Sequence, residues 1–314
     1  MLDIHKKDTL ISQKFIIENI IIENFKMMSS MIDDPHENAF EEVEINGKSM
    51  TWIDLCAERD TQRRLYTEFD RSNLKVIGEE TIMREGDTDI SDLKRNVVVL
   101  DMIDGTDLLE KSLGNWCSAI VILDPTEPKI IGSFVALSDC VYYTTENTNG
   151  VYKCSIENRF DPNNSVNIIV DETVSIDGVN QGISLRDASI CTYGQKGSSL
   201  AGIFERCDCS DRIQWLRDEA RNLRFYDLAG NPMMAKVADR DLDLVFEVNG
   251  QQPHDVAPGA HIAIEAGASL INIETGEEVS SGELAALTSR PSERLTYVLA
   301  ASKSLGEEFC DVFV

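Results

Sequence analysis

The residues best suited to chemistry lie in Val97-Val98-Val99-Leu100-Asp101-Met102-Ile103-Asp104-Gly105-Thr106. The aliphatic run reads as a buried strand, and it leads directly into two carboxylates, a glycine and a hydroxyl. Active sites of α/β proteins gather where strands end. Two carboxylates three residues apart on a tight turn can face one point, and a hard dication such as Mg²⁺ takes oxygen ligands of that kind. Gly105 allows an unusual backbone angle or a close ligand approach, and Thr106 adds a hydroxyl beside them. Alone, the motif also reads as a strand ending in an Asx turn.

Two further segments carry carboxylates in comparable places. Ile77-Gly78-Glu79-Glu80-Thr81 ends a short strand in a pair of glutamates, which by itself is ordinary surface charge. His254-Asp255-Val256-Ala257-Pro258-Gly259-Ala260 places an aspartate before a small-residue helix start, where it could simply cap the helix.

The elements that must position these residues follow from periodicity. Ile11, Phe15, Ile16, Ile20, Ile22 and Phe25 recur at helical spacing without Gly or Pro, predicting one helix over about residues 10–31. A second helix is expected over 52–69, with Trp52, Leu55, Cys56, Leu65 and Tyr66 on one side. Strands are expected at 74–78, 97–100, 118–123 and 130–136. A hairpin should join 141–145 to 151–154 around Asn147-Thr148-Asn149-Gly150. Strands at 166–170 and 188–192 and a helix near 198–206 lead into alternating elements that run to Ala268. The pattern changes near residue 185. We therefore expect an α+β domain over 1–185 carrying the first motifs and an α/β domain over 186–314 completing the site.

A length of 314 residues suits one large domain or two smaller ones. With 29 Lys and Arg against 55 Asp and Glu the net charge is −26, and no basic cluster is present to displace counterions, so a nucleic-acid polymer is not expected as a partner. Such a chain repels an anionic substrate unless cations at the site reverse the local field, which bound metal would do. The 8 cysteines include no Cys-x-x-Cys pair, and Cys207 and Cys209 lack a second ligand pair for zinc. The apolar stretch from Phe15 to Phe25 is interrupted by Glu18, Asn19, Glu23 and Asn24 and cannot span a bilayer, and residues 1–10 lack a signal-peptide core. A cytoplasmic protein with reduced thiols and no membrane association is the expectation.

Gly-Glu-Glu, then Asp-x-Ile-Asp-Gly-Thr, then a late Asp before Val-Ala-x-Gly and Glu-Ala-Gly, in that order and spacing, resembles the inositol-monophosphatase-like phosphatases. These include inositol monophosphatases, fructose-1,6-bisphosphatases and 3′-phosphoadenosine phosphatases. The motif matches cover about residues 77–106 and 226–267. The resemblance implies a layered α-β-α-β-α sugar-phosphatase fold and a Mg²⁺-dependent phosphomonoesterase using two or three ions per site. It also implies a homodimer and inhibition by lithium. It further implies roles for single residues. Glu79, Asp101, the Ile103 carbonyl, Asp104 and Asp255 would hold metal, with Glu79 also reaching the catalytic water. Gly105 and Thr106 would offer N–H groups to the phosphate, and the Thr106 hydroxyl would help activate water. That threonine is paired in the family with an acidic residue on the preceding helix. Alignment through Ala57-Glu58-Arg59-Asp60 favours Glu58, with Asp54 and Asp60 as alternatives, although the family residue is Asp. Ala229, Gly230 and Asn231 would form a small-residue substrate wall, and Glu247 would contact a substrate hydroxyl.

The departures from the family pattern concern the pocket. Met102 stands where Pro is usual, His254 where Trp is usual, and Pro258 where Ala is usual. A histidine in place of tryptophan should alter the pocket wall near Asp255, and Pro258 is tolerable in the first turn of a helix. His5 and His36 read as surface residues. The segment from Asp107 to Trp116 lacks both the Thr-Asn-Phe of true inositol monophosphatases and the Lys-Glu-Phe of phosphoadenosine phosphatases. The expected substrate is an inositol or sugar phosphate. A 3′(2′),5′-bisphosphate nucleotidase and a catalytically silent metal- or partner-binding relative are the alternatives.

Overall fold

The computed structural model describes residues 4–34, 38–45, 48–85, 90, 93, 95–124, 126–146, 148–157, 167–174, 183–192, 218, 222–228 and 230–313. Helix α1 (Ile4–Asp33) is longer than its apolar pattern predicts, and α2 (Trp52–Glu68) follows a short hairpin of β1 (Glu42–Ile45) and β2 (Lys48–Thr51). A seven-stranded sheet then runs in chain order through β3 (Leu74–Gly78), β4 (Asn96–Asp104), β5 (Cys117–Asp124), β6 (Lys129–Ala136), β7 (Cys140–Thr145), β8 (Val151–Glu157) and β9 (Asn167–Val174). Only the β3–β4 pair in it is parallel. Short helices α3 (Glu79–Glu85) and α4 (Thr106–Glu110) leave the ends of β3 and β4. The expected β7–β8 hairpin forms, and Gly150 takes a left-handed φ of 99° at its turn.

The second sheet takes β10 (Ser189–Thr192), β11 (Arg224–Asp227), β12 (Leu244–Gln251), β13 (Ser269–Asn272) and β14 (Leu295–Ala300) in the order β11-β10-β12-β14-β13. Between them lie α5 (Asn231–Ala238), α6 (Pro253–Glu265) and α7 (Ser281–Thr288), and α8 (Lys303–Phe313) follows β14. The helix expected near 198–206, Cys207, Cys209, His36 and the side chain of His5 lie outside the described residues.

The layers follow from which faces are apolar. One core joins α1 and α2 to the large sheet through Ile17, Ile21, Phe25, Ile53, Leu65, Val98, Leu100 and Ile120. A second fills the space between the sheets, with Val97, Val99, Ala119 and Val121 on one side, Val245, Leu270 and Leu299 on the other, and Val256, Ala260 and Ile262 of α6 between. A third packs Phe309 and Leu305 of α8 against Leu244, Phe246 and Val298. The result is the layered α-β-α-β-α arrangement, with both sheets covered on both faces. That coverage explains why β4 is a continuous apolar run without alternation. Helices α5 and α6 pack tightly at Gly259, where an added Cβ would lie 2.7 Å from Met234 Cβ.

Candidate active site

Strand β4 does not stop at Leu100 but continues to Asp104, and its pairing with β5 explains how two carboxylates three residues apart share a face. Asp101 pairs with Ala119 and Asp104 with Cys117, so β4 carries one residue more than its partner over this interval. Regular alternation would send Asp101 and Asp104 to opposite faces, and a one-residue bulge cancels that. Burial agrees, because Met102 and Ile103 both join the core toward α1 and α2 while Val97 and Val99 face α6. The Ile103 N–H donates to Asp101 Oδ1 at 3.0 Å, and Ser118 Oγ donates to the Met102 carbonyl at 2.7 Å, which holds the bulge in shape. Gly105 then takes φ 98° as the N-cap of α4, with Trp116 Cβ 3.3 Å from where a side chain would begin.

Glu79 reaches the same place by the parallel pairing of β3 with β4. Gly78 pairs with Leu100, so the next residues, Glu79 and Asp101, come side by side as α3 begins. The residue that supports this start is Glu58. Its Oε2 accepts the N–H of Glu80 at 2.7 Å and of Thr81 at 3.2 Å, and its Oε1 accepts the Thr81 hydroxyl. Glu58 therefore caps α3 from another helix, satisfying amide groups that a helix start leaves unpaired.

This corrects the expected pairing of Glu58 with Thr106. The Thr106 hydroxyl lies 2.9 Å from Asp54 Oδ1 and 3.0 Å from the Ile103 carbonyl, and Thr51 donates to the other Asp54 oxygen. Asp60 is engaged elsewhere, with Arg63 and Arg64. Asp54 and Glu58 are one helical turn apart and share a face of α2. The residue nearer the helix start meets β4 and α4, and the next meets α3.

Helix α6 supplies Asp255. Its N-cap is Gln252, so Asp255 sits in the first turn and does not cap it, while Pro258 lies in the second turn, not in the first as expected. There Pro258 cannot donate to the His254 carbonyl four residues earlier. His254 is 2% exposed, and its Nε2 stands 3.1 Å from Asp255 Oδ1. One ligand atom each from Glu79, His254 and Asp255 lie within 4.8 Å of one another. From the opposite side Asp104 Oδ2 accepts the Asn231 N–H at 2.7 Å, at the start of α5. Asn231 Oδ1 accepts the Gly259 N–H at 2.7 Å, which ties α5 to α6. Gly230, at φ 124°, leaves space for the Asp104 carboxylate, whose oxygens lie 3.0 Å from where a Cβ would stand. Glu247 is buried on β12, on the face shared with Val245 that looks toward the helices, and its Oε1 accepts the Asn249 N–H at 2.6 Å. Ala229 lies outside the described residues.

The electrostatics follow from crowding acids in a dry place. Burial, then the charges of Asp255 and other neighbours, push Glu79 up to about 8. Burial and Asp255 push Asp104 to about 7 against the hydrogen bonding of Asn231, and burial with Glu79, Asp104 and Asp255 raises Asp101 well above the carboxylate range. Burial also lifts Asp54 to about 6. Burial works against a charged His254, but Asp255, Glu79 and Asp104 outweigh it and hold its pKa near 9. Carboxylates in this state are short of positive charge, and their oxygens suit a hard dication.

Asp54 was only an alternative in the sequence, and Asn231 only part of a substrate wall. Spacing does not mark Asn231 as the link between Asp104 and α6, and it does not choose Asp54 over Glu58 as the partner of Thr106.

No family model matches this sequence, and no curated protein matches it. Solved structures do. Inositol monophosphatase II of Staphylococcus aureus with 2′AMP bound superposes with a TM-score of 0.67 at 18% identity, covering 96% of this chain and 94% of that one. The same protein with inositol monophosphate bound gives 0.63 at 21% identity over 95% and 92%. A Pyrococcus horikoshii protein with similarities to inositol-1 monophosphatase gives 0.64 at 19% identity over 96% and 98%. The chain has the inositol-monophosphatase fold, as its motifs imply.

Proposed function

We propose that this chain is a Mg²⁺-dependent phosphomonoesterase that cleaves a small phosphorylated metabolite, an inositol or sugar phosphate, with metal-activated water. The observation that carries this reading is the convergence of Glu79, Asp101, Asp104 and Asp255 from three elements, α3, β4 and α6, into one cluster in which the pKa values of Glu79, Asp101 and Asp104 are raised. That donor set fits Mg²⁺. Glu79, Asp101, the Ile103 carbonyl, Asp104 and Asp255 would hold two or three ions. When bound, these would neutralise phosphate charge, lower the pKa of a coordinated water and stabilise the leaving oxygen.

The chain's own residues do the rest. Thr106 donates its proton to Asp54, which leaves hydroxyl lone pairs free to accept a proton from the attacking water. Glu79 would orient that water. The N–H groups of Gly105 and Thr106 would bind phosphate oxygens. Gly230 leaves the space into which Asp104 and the substrate fit, and Glu247 would accept a substrate hydroxyl. Glu58 is a positioning residue in this scheme. The reading extends to a cytoplasmic homodimer that millimolar Li⁺ inhibits. No described helix is long and apolar enough to cross a membrane, and none of the six described cysteines is in a disulfide.

A 3′(2′),5′-bisphosphate nucleotidase is the second reading, favoured by the structural relative that carries 2′AMP. The test is phosphate release from inositol 1-phosphate, fructose 1,6-bisphosphate, hexose phosphates and 3′-phosphoadenosine 5′-phosphate, with Mg²⁺ or EDTA. Release that needs Mg²⁺ and vanishes in Asp101→Asn supports the reading and names the substrate class. Metal binding by a folded protein with no release from any of these would point to the silent relative.

A further inference from the structure

Most of the buried cluster is oxygen, but one member is not. His254 reaches into it from the second residue of α6 with Nε2 3.1 Å from Asp255 Oδ1, and Glu79 completes a set of donors within 4.8 Å. The ring is 2% exposed; Nε2 pairs with the Asp255 carboxylate, and Nδ1 makes no hydrogen bond. A buried ring nitrogen with no hydrogen-bond partner is costly unless something else satisfies it. The separation from Asp255 is also informative. Two adjacent donors about 2.1 Å from one ion stand about 3.0 Å apart in octahedral coordination and about 3.4 Å apart in tetrahedral coordination. The observed 3.1 Å, which is also an ordinary ion-pair length, fits either geometry without rearrangement of the two side chains.

We propose that His254 is a nitrogen ligand at the Glu79–Asp255 position, making that position selective for a transition dication (Mn²⁺, Co²⁺ or Zn²⁺) over Mg²⁺. The inference rests on the metal-dependent reading above and refines it. The remaining donors, Asp101, the Ile103 carbonyl and Asp104, are all oxygen and retain the preference for Mg²⁺. Imidazole adds little for Mg²⁺, which keeps oxygen ligands, but strengthens binding of the later first-row ions. Pro258 contributes by removing the helical hydrogen bond to the His254 carbonyl, so the first turn of α6 is not pinned at that residue. The histidine and the proline, four residues apart on one helix, then act on the same ligand.

The experiment is pulsed EPR of the full-length protein loaded with Mn²⁺, with natural-abundance and ¹⁵N-histidine samples, for the native chain and His254→Gln. Titration calorimetry with Co²⁺ and Mg²⁺ accompanies it. The expected result is a nitrogen coupling of a directly bound imidazole that changes with the isotope and is lost in His254→Gln. Co²⁺ affinity should fall by at least the ~10–100-fold that loss of an outer-shell partner costs, with Mg²⁺ affinity nearly unchanged. Mn²⁺ bound without nitrogen coupling, or equal effects of His254→Gln on both ions, overturns the proposal and leaves the carboxylate site standing. Failure of the native protein to bind either Mg²⁺ or Mn²⁺ overturns the metal-dependent reading itself. The native spectrum decides the matter even if His254→Gln does not fold.

Discussion

Glu58 offers the sharpest test of how this site is built. Its carboxylate is 3% exposed and accepts two backbone N–H groups at the start of α3, at 2.7 and 3.2 Å, together with the Thr81 hydroxyl and, at 3.1 Å, Gln62 Nε2. Glu58→Ala leaves these donors buried without an acceptor, at about 1–3 kcal/mol each before relaxation. Allowing for the desolvation that the missing carboxylate no longer suffers, the expected net loss is ~3–4 kcal/mol by urea unfolding. Glu58→Gln keeps the shape and one acceptor and should cost ~1–2 kcal/mol. Gly78 supplies an internal control. A Cβ there would lie 2.2 Å from Glu58 Cδ, so Gly78→Ala should be severely destabilising in the native chain. In a Glu58→Ala background the methyl group enters the vacated space. The double-mutant cycle should then show a favourable coupling of ~2 kcal/mol or more. Metal affinity, measured by calorimetry, should fall with both Glu58 variants because Glu79 begins the helix that Glu58 caps. A Glu58→Gln protein of native stability and native metal affinity that had lost turnover would refute this account and return Glu58 to the chemistry.

Asp54→Asn should lower kcat by ~10²–10⁴ through loss of the Thr106 proton acceptor, with stability held or raised, since burial already disfavours the ionised Asp54; an unchanged kcat removes Asp54 from the mechanism. Gly230→Ala imposes a side chain at φ 124° and ψ −173°, a glycine-only region costing ~1–3 kcal/mol, and crowds Asp104, so both unfolding free energy and metal affinity should drop. His261 is buried against Ser133 Oγ at 2.9 Å, and burial holds its pKa at about 4, below the ordinary 6.5. A depressed folded-state pKa contributes stability above pH 6.5 that is lost as pH falls toward 4. The native chain should therefore lose on the order of 2 kcal/mol more than His261→Gln between pH 7 and 4.5, and parallel profiles in denaturant titrations would contradict this.

Much of this site was legible because its acids sit at strand ends and helix starts, where local sequence carries the signal. Val97 to Leu100 read as a buried strand, Gly105 as a place for an unusual backbone angle or a close ligand approach, and Glu79, Asp101, Asp104 and Asp255 occur in a recognisable order. Spacing could not show why Asp101 and Asp104 point the same way, because the bulge exists only in the pairing of β4 with β5. Nor could it choose between Asp54 and Glu58, which lie four residues apart on one helical face and differ only in what lies above them. His254 was visible as a substitution, but its aim depends on α6 beginning at Pro253, two residues before Asp255, and on the depth at which the helix packs between the sheets. Residue types and local periodicity determined the elements and the candidate acids. Which side chains meet was decided by register and packing, because those bring together atoms as far apart in sequence as Asp54 and Thr106.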